Sequence, residues 1–195
     1  MTAETRPKPD GSSATRARIL SAAQVLFSTK GYSHAGLREI AKLAEVAPSL
    51  VMKYFGTKAR LFEAALVSAI LPLEHFQADR SKLGQTIVDA IFASSEMNAP
   101  TMIALSLGDA ESRKVASEVV LKQIIEPMAE WLAKGQSDTE AKARSQAANI
   151  FLMTTGFSLF ARNMDLDFGE ETQAHTARAF AHSLQAIVEA SPANG

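Results

Sequence analysis

The stretch VMKYFGTKARLF, residues 51–62, places two adjacent aromatics, a glycine, a hydroxyl residue and three basic residues within twelve positions. Glycine favours the end of a helix, and a hydroxyl residue favours the start of the next one. The stretch therefore predicts one helix that ends at Tyr54-Phe55 and a second that begins at Thr57-Lys58. A helix start with free N–H groups and a lysine is suited to contact a phosphate.

The residues before this junction predict two more helices. An apolar stripe with helical spacing over residues 14–30 predicts helix 1, and Gly31 favours its end. Helix 2 is predicted over residues 36–44, and Pro48 favours the first turn of helix 3 over residues 48–54. Two short helices that are joined by a tight turn behind a longer helix form a helix-turn-helix.

The helix-turn-helix arrangement predicts which side chains contact DNA. Helix 3 would enter the major groove, with Phe55 buried as an anchor beneath it. The hydroxyl of Tyr54 and the start of helix 4 would reach the phosphate backbone. The predicted DNA-binding residues are Arg38, Ser49, Met52, Lys53, Tyr54, Thr57 and Lys58.

Charge is distributed unevenly along the 195 residues. Residues 1–66 contain ten Lys/Arg and five Asp/Glu, whereas residues 67–195 contain ten and sixteen. A basic first third joined to an acidic remainder indicates two functional parts and favours a polyanion as the partner of the first. Chance variation is the alternative explanation, because the basic excess is modest for a segment of this length.

Composition indicates an all-α protein with a sizeable core, because 47% of the residues are hydrophobic and only ten Gly and seven Pro interrupt the chain. The absence of Cys excludes disulfides and thiolate chemistry and fits a reducing, cytoplasmic location. No apolar run approaches the roughly 20 residues of a membrane span, so no membrane partner is expected. Residues 1–13 lack an apolar segment and are expected to form a disordered arm rather than a signal peptide.

The segment from Ile19 to Phe62 resembles the DNA-binding domain of TetR-family transcriptional regulators. The matching residues are Ile19, Ala22-Ala23, Leu26-Phe27, Gly31-Tyr32, Ile40-Ala41, Val46, Tyr54-Phe55 and Lys58. The part PSLVMKYFGTK resembles a variant that is often seen in actinobacterial members. The resemblance implies an all-α fold with an N-terminal three-helix helix-turn-helix domain and a larger C-terminal helical domain for ligand binding and dimerisation. The implied divisions are an arm (1–13), a DNA-binding domain (14–60), a ligand-binding and dimerisation domain (61–190) and a tail (191–195).

Several positions depart from the family pattern. Ala35 stands where a hydroxyl residue usually opens helix 2, Ala47 where a Ser usually precedes helix 3, and Met52 where Tyr is common. Glu45 stands in place of the usual turn Gly, and a non-Gly residue at positive φ costs on the order of 1 kcal/mol. We expect an altered turn in which Ala44-Glu45 extends helix 2, so that Glu45 avoids positive φ and Glu45→Gly lowers the melting temperature.

The rest of the chain is predicted to be helical but has no sharp motif. Helix 4 is expected from Lys58 to the upper 70s, and Pro127 is expected to kink or divide a later segment. The later segments are predicted at residues 81–97, 100–108, 111–134, 138–162 and 169–190. Apolar stripes in residues 143–162 and 171–189 are compatible with packing inside one chain or with a four-helix interface between two chains. The TetR resemblance implies that they form the homodimer interface.

The resemblance also implies an effector cavity in the C-terminal domain. Met and aromatic residues suit an irregular apolar cavity, although the same residues more often belong to an ordinary core. Few ionisable residues lie in these stretches, which favours a neutral or lipophilic effector. The predicted effector-binding residues are Phe92, Met97, Met102, Leu105, Trp131, Phe151, Met153 and Phe157.

The sequence contains no arrangement that is typical of catalysis or of a metal site. His175 and His182 are seven residues apart, which is too far for one metal on a helix, and there is no phosphate-binding Gly-rich loop or nucleophile elbow. We therefore expect no enzymatic activity, cofactor or metal. The leading interpretation is a dimeric repressor that a small molecule releases from a palindromic operator in double-stranded DNA. The alternative is a helical small-molecule-binding protein with weakened DNA binding.

Overall fold

The computed structural model describes residues 11–71, 79–93, 99–134, 139–164 and 169–190. Within these ranges the chain is all-α, as predicted, and contains no β-strand. The helices are α1 (Gly11–His34), α2 (Leu37–Leu43), α3 (Pro48–Phe55), α4 (Lys58–Ala69), α5 (Leu83–Ala93), α6 (Ala99–Ser106), α7 (Ala110–Val120), α8 (Glu126–Ala133), α9 (Glu140–Asn163) and α10 (Gly169–Glu189). A 3₁₀ turn, Arg80–Lys82, precedes α5, and a π-helical segment, Leu121–Ile125, joins α7 to α8. No helix in the described ranges is both long enough and apolar enough to span a bilayer.

Three helix boundaries test the sequence predictions. Gly31 interrupts α1 at φ 72° and ψ 170°, which confirms the predicted break. The prediction that helix 4 continues into the upper 70s is wrong, because α4 ends at Ala69 and Ile70 is extended. Residues 11–13 of the predicted arm belong to α1.

The first core joins α1–α4 to α6 and α7. At its centre the ring of Phe62 lies edge-on to Phe27 and Tyr32, with centroids 5.1 Å and 5.4 Å away. Met102 of α6 and Val119 of α7 are buried in the same cluster. The helix-turn-helix therefore shares its core with later parts of the chain, and α4 runs across the domain boundary that was predicted after residue 60.

Polar contacts strengthen the connection between α1 and α7. The hydroxyl of Tyr32 donates to Glu111 Oε2 at 2.5 Å, and Ser33 Oγ donates to Asp109 Oδ2 at 3.2 Å. Burial and the adjacent Glu111 carboxylate raise the pKa of Tyr32 far above its usual range, so the phenol remains a protonated donor. Asp109 caps α7 by accepting from Ser112 N, which lowers the pKa of the Asp109 carboxyl.

The second core is formed by α5, α8, α9 and α10 together with the π-helical segment. Helices α5 and α10 approach each other closely at Gly84, where a Cβ atom would lie 2.1 Å from the Ala181 carbonyl oxygen. The Gln185 side chain accepts from Gly84 N and donates to the Arg80 carbonyl oxygen, both at 3.1 Å. Helix α10 is therefore fastened to α5 inside one chain.

Part of the apolar stripe that was predicted in residues 171–189 packs within the chain. Ala181, Leu184 and Val188 of the predicted dimer stripe are buried within the chain, with Leu184 fully enclosed. Their apolar surface already covers the second core and is not free to contact another copy. The exposed apolar side chains of α9, including Leu152 and Phe160, remain available for that role.

Pro127 accounts for the π-helical segment. Proline lacks an N–H group and clashes with the carbonyl four residues earlier, so a regular α-helix does not continue through it without distortion. The Glu126 N–H instead bonds to the Leu121 carbonyl, five residues back, and the wider turn carries the chain past Pro127. The predicted division of the 111–134 segment is thus confirmed.

Candidate DNA interface and effector cavity

Helix α3 has one buried face and one exposed face. Val51 and Phe55 are buried in the first core, and the predicted anchoring of Phe55 is confirmed. Ser49, Met52 and Lys53 all lie on the exposed face. The structure thus places these three predicted DNA-binding residues together on the surface of the proposed recognition helix.

The junction between α3 and α4 has the predicted local structure. Gly56 follows α3 at φ 73°, a conformation that favours glycine. The Thr57 hydroxyl accepts from Arg60 N at 3.1 Å and so caps α4. Thr57 is exposed, and the free backbone N–H groups of the first turn make this helix end attractive to an anion.

Lys58 is held in place at the same helix end. Its ammonium nitrogen lies 4.7 Å from the centroid of the Tyr32 ring and donates to the Ser33 carbonyl oxygen at 3.4 Å. A cation over an aromatic face is stabilised by the ring quadrupole. This contact was not predicted, although Tyr32 and Lys58 both belong to the residues that resemble the TetR-family pattern. Tyr32 therefore contacts the lysine with its ring and α7 with its hydroxyl.

The first turns of α1 lie beside the end of α3. The hydroxyl of Tyr54 donates to Ser12 Oγ at 3.2 Å, and the guanidinium of Arg16 lies 5.4 Å from the centroid of the Phe55 ring. Arg16 thus adds positive charge next to the proposed recognition helix. Arg16 is absent from the predicted DNA-binding residues, although the basic residues Arg16 and Arg18 at the start of helix 1 were the available signal.

The starts of α2 and α3 lack side-chain caps. Gly36 and Ala47 occupy the N-cap positions, and neither makes a side-chain hydrogen bond there. Ala35 is completely buried, so its side chain does not contact solvent. Arg38, another predicted DNA-binding residue, is exposed in the first turn of α2. Unpaired N–H groups at both helix starts are available to phosphate oxygens.

The turn between α2 and α3 contradicts the prediction for Glu45. Glu45 has φ 54°, in the left-handed region. Its N–H bonds to the Lys42 carbonyl, and the Val46 N–H bonds to the Ala41 carbonyl at 3.0 Å, which together form a Schellman motif. This sharp reversal directs Val46 onto the first core. The expectation that Ala44-Glu45 extends helix 2 is therefore wrong.

The observed turn reverses the expected effect of Glu45→Gly. Because glycine adopts positive φ without steric cost, we expect the variant to gain about 1 kcal/mol of stability. That corresponds to a melting temperature roughly 2–4 °C higher. Ala44→Gly is the matched control, since Ala44 has φ −80° and glycine there should destabilise by about 1 kcal/mol. Thermal melts in which Glu45→Gly falls below the unmodified protein would contradict the left-handed turn.

An apolar cavity of about 130 Å³ lies between the two cores. Ala69, Ile70 and Ile103 form its wall on the side of the first core, and Ile91 and Ile150 line it from the second. The polar lining residues are Gln123, Thr154 and Thr155, and none of the described lining residues is ionisable. The cavity is therefore suited to a neutral molecule.

The residues predicted to bind an effector are dispersed. Phe151 lines the cavity, and Met97 lies outside the described residues. Met102 is fully buried in the first core, and Leu105 is exposed beside Gly31. The remaining positions are away from the cavity lining: Trp131 beneath the Arg80 guanidinium, Met153 against the second core, and Phe92 and Phe157 in a surface groove.

A surface groove carries the most exposed aromatic side chains among the described residues. Phe92 and Phe160 are 53% and 60% exposed, and Met164 lies beside them. Phe157 forms the floor of the groove and stacks on Phe180 with ring centroids 4.0 Å apart. Phe180 is thus half-buried against the second core, whereas the ring of Phe160 is exposed.

Comparisons with known proteins agree with this architecture. Residues 19–65 match the family model described as bacterial regulatory proteins, tetR family. No curated protein matches the sequence of the chain. The fold is similar to a TetR-family regulator from Streptomyces coelicolor (24% identity, 96% and 100% of the two chains covered, TM-score 0.56).

Two further solved structures share the fold. One is NalD, the secondary repressor of the MexAB-OprM multidrug efflux pump in Pseudomonas aeruginosa (23% identity, 90% and 97% coverage, TM-score 0.62). The other is the multidrug binding protein EbrR, complexed with imidazole (18% identity, 99% and 100% coverage, TM-score 0.60). The amino-terminal domain is therefore a TetR-family helix-turn-helix domain, and the whole chain has the fold of a TetR-family transcriptional regulator.

Proposed function

We propose that this protein is a dimeric repressor of transcription that a small neutral molecule releases from a palindromic operator. The observation that supports this most strongly is the position of α4. Its N-cap Thr57 and its first residue Lys58 lie next to the recognition helix, and its last turn reaches the cavity through Ala69. Twelve residues of α-helix connect these two sites over about 18 Å.

This arrangement suggests how an effector would act. A molecule between the two cores contacts the end of α4, so a shift of that helix would move Lys58 and the neighbouring α3. In a dimer, such a shift changes the spacing of the two recognition helices, which must match half-sites one or more helical turns apart. Release from DNA then requires that the effector bind the DNA-incompetent arrangement more tightly.

The names of two proteins of similar fold support this proposal. NalD is a repressor, and EbrR is a multidrug binding protein.

A second candidate function is a small-molecule-binding protein with weakened DNA binding. Two features favour it: the starts of α2 and α3 lack capping side chains, and Glu45 carries a negative charge.

Recovery of genomic DNA fragments on the purified protein, followed by sequencing, separates these functions. A repressor should enrich discrete palindromic sites whose half-sites lie about 10 base pairs or a multiple of that distance apart. Uniform recovery that salt abolishes would instead favour the second function, because nonspecific binding is almost entirely electrostatic.

Lys58→Ala should weaken binding to every DNA sequence by a similar factor. Loss of one phosphate contact flattens the plot of log affinity against log salt concentration by about one unit per half-site. Lys122→Ala is the matched control, because Lys122 is an exposed lysine on the π-helical segment, outside the helix-turn-helix. An unchanged slope, together with a lower melting temperature, would mean that Lys58 serves only to pack against Tyr32.

A further inference from the structure

We propose that Thr154 is the polar anchor of the cavity and that the effector is a small neutral molecule with a single hydrogen-bonding group, such as a monocyclic phenol. This inference rests on the proposed function in taking the cavity as the effector site. It adds two points to that function: Thr154 selects the effector, and the effector belongs to a stated chemical class.

The hydroxyl of Thr154 differs from other helical hydroxyls in this protein. Thr29, Thr86 and Thr176 each donate to the carbonyl oxygen four residues earlier, at 2.7–3.0 Å. The hydroxyl oxygen of Thr154 is shielded from solvent and has no hydrogen-bond partner within the described ranges. A buried hydroxyl without a partner destabilises the protein that carries it, and a bound molecule that supplies a partner removes this penalty.

The position of Thr154 allows that hydroxyl to reach a bound molecule. Thr154 lies on α9 and is one of the residues that line the cavity, and its shielded hydroxyl would reach a bound molecule by rotation about χ1. Threonine populates two χ1 rotamers in helices, and rotation between staggered positions exchanges the places of its methyl and hydroxyl groups. Gln123, another polar lining residue, is exposed and can keep water as its partner.

The lining also defines the charge and size of the molecule. An ionised group would lose its hydration without a countercharge, because none of the described lining residues is ionisable. The volume of about 130 Å³ is close to that of engineered apolar cavities, roughly 150 Å³, that bind benzene. A single ring with one or two small substituents therefore fits without separating the two cores.

Three probes of the same shape test this inference by calorimetry on the full chain without DNA: p-cresol, toluene and 4-methylbenzoate. We expect p-cresol to bind roughly fivefold more tightly than toluene, since one net hydrogen bond distinguishes them. We expect 4-methylbenzoate not to compete with toluene. In Thr154→Val the affinity for toluene should be unchanged, and the advantage of p-cresol should disappear.

Thr176→Val is the matched control, because Thr176 is exposed on α10 and its hydroxyl is already bonded to the Thr172 carbonyl. It should leave the p-cresol to toluene ratio unchanged. Without probe, Thr154→Val should melt at the same temperature as the unmodified protein or higher, since it removes an unpaired buried hydroxyl.

Three results would each overturn the inference: a p-cresol advantage that persists in Thr154→Val, binding of 4-methylbenzoate as tight as that of p-cresol, or binding of none of the three probes. Because the assay contains no DNA, its outcome is independent of whether an operator exists. If the probes bind with the expected ratios but no DNA sites are enriched, Thr154 is still the polar anchor and the proposed repressor function is wrong.

Discussion

Gly84→Ala should lower the melting temperature by roughly 6–12 °C, which corresponds to a loss of about 3 kcal/mol. The added methyl group would lie 2.1 Å from the carbonyl oxygen of Ala181, a backbone atom that cannot rotate away. Helices α5 and α10 would have to separate, which also stretches the Gly84–Gln185 hydrogen bond. The measurement is a thermal melt at constant protein concentration, because the proposed dimer formation would make the melting temperature depend on concentration.

Gly156→Ala is the matched control for this prediction. Gly156 lies inside α9, and a Cβ atom there would meet no heavy atom within 4 Å among the described residues. Removing a helical glycine from open space should stabilise the protein by roughly 0.5–1 kcal/mol. If both variants melt like the unmodified protein, the close contact between α5 and α10 does not exist in solution.

In the proposed dimeric repressor, Phe160→Glu should separate the two chains and reduce operator affinity by roughly 10²–10⁴-fold, because two linked half-site contacts become independent. The Phe160 ring is 60% exposed in the surface groove, so a second copy of the chain is the natural cover for it. A carboxylate in that apolar contact would lose its hydration without a partner. In the isolated chain the same change should alter stability by less than about 0.5 kcal/mol, since the position is open to solvent.

Sedimentation and operator titration of two further variants complete this test. Leu107→Glu introduces the same charge at a residue that is 63% exposed between α6 and α7, and it should leave the dimer intact. Phe180→Glu should instead lower the melting temperature, because Phe180 stacks on Phe157 inside the chain. If the Phe160→Glu variant is still a dimer, the interface does not lie at the groove.

The helix-turn-helix was predictable because its signals are local. Gly56 and Thr57 determine the ends of two helices through their own backbone and side-chain chemistry, and the spacing of Val51 and Phe55 defines the buried face. The prediction for Glu45 was wrong because the low propensity of Glu for positive φ matters less than the packing of Val46 on the core. Seating Val46 on the core demands a left-handed residue before it, whichever side chain occupies the position.

The cavity between the two cores and the exposed apolar face of α9 were much less predictable. The apolar stripe of α10 could cover another helix or another chain, and only the packing of α5 against it decides between them. Gly84 and Ala181 are almost a hundred residues apart, so no periodicity in the sequence relates them. Met102 and Phe151 have similar hydrophobic character, yet the first fills the core and the second borders a cavity.

The position of the cavity between two separate cores has a thermodynamic consequence. The helices that would read DNA belong to one packed body with α6 and α7, so bending within that body would break its core. The affinity of the cavity for a molecule therefore depends chiefly on the relative position of the two bodies. By reciprocity, if the effector lowers operator affinity by some factor, operator DNA lowers effector affinity by the same factor. Protein bound at its operator would then need a higher effector concentration to respond than protein free in solution.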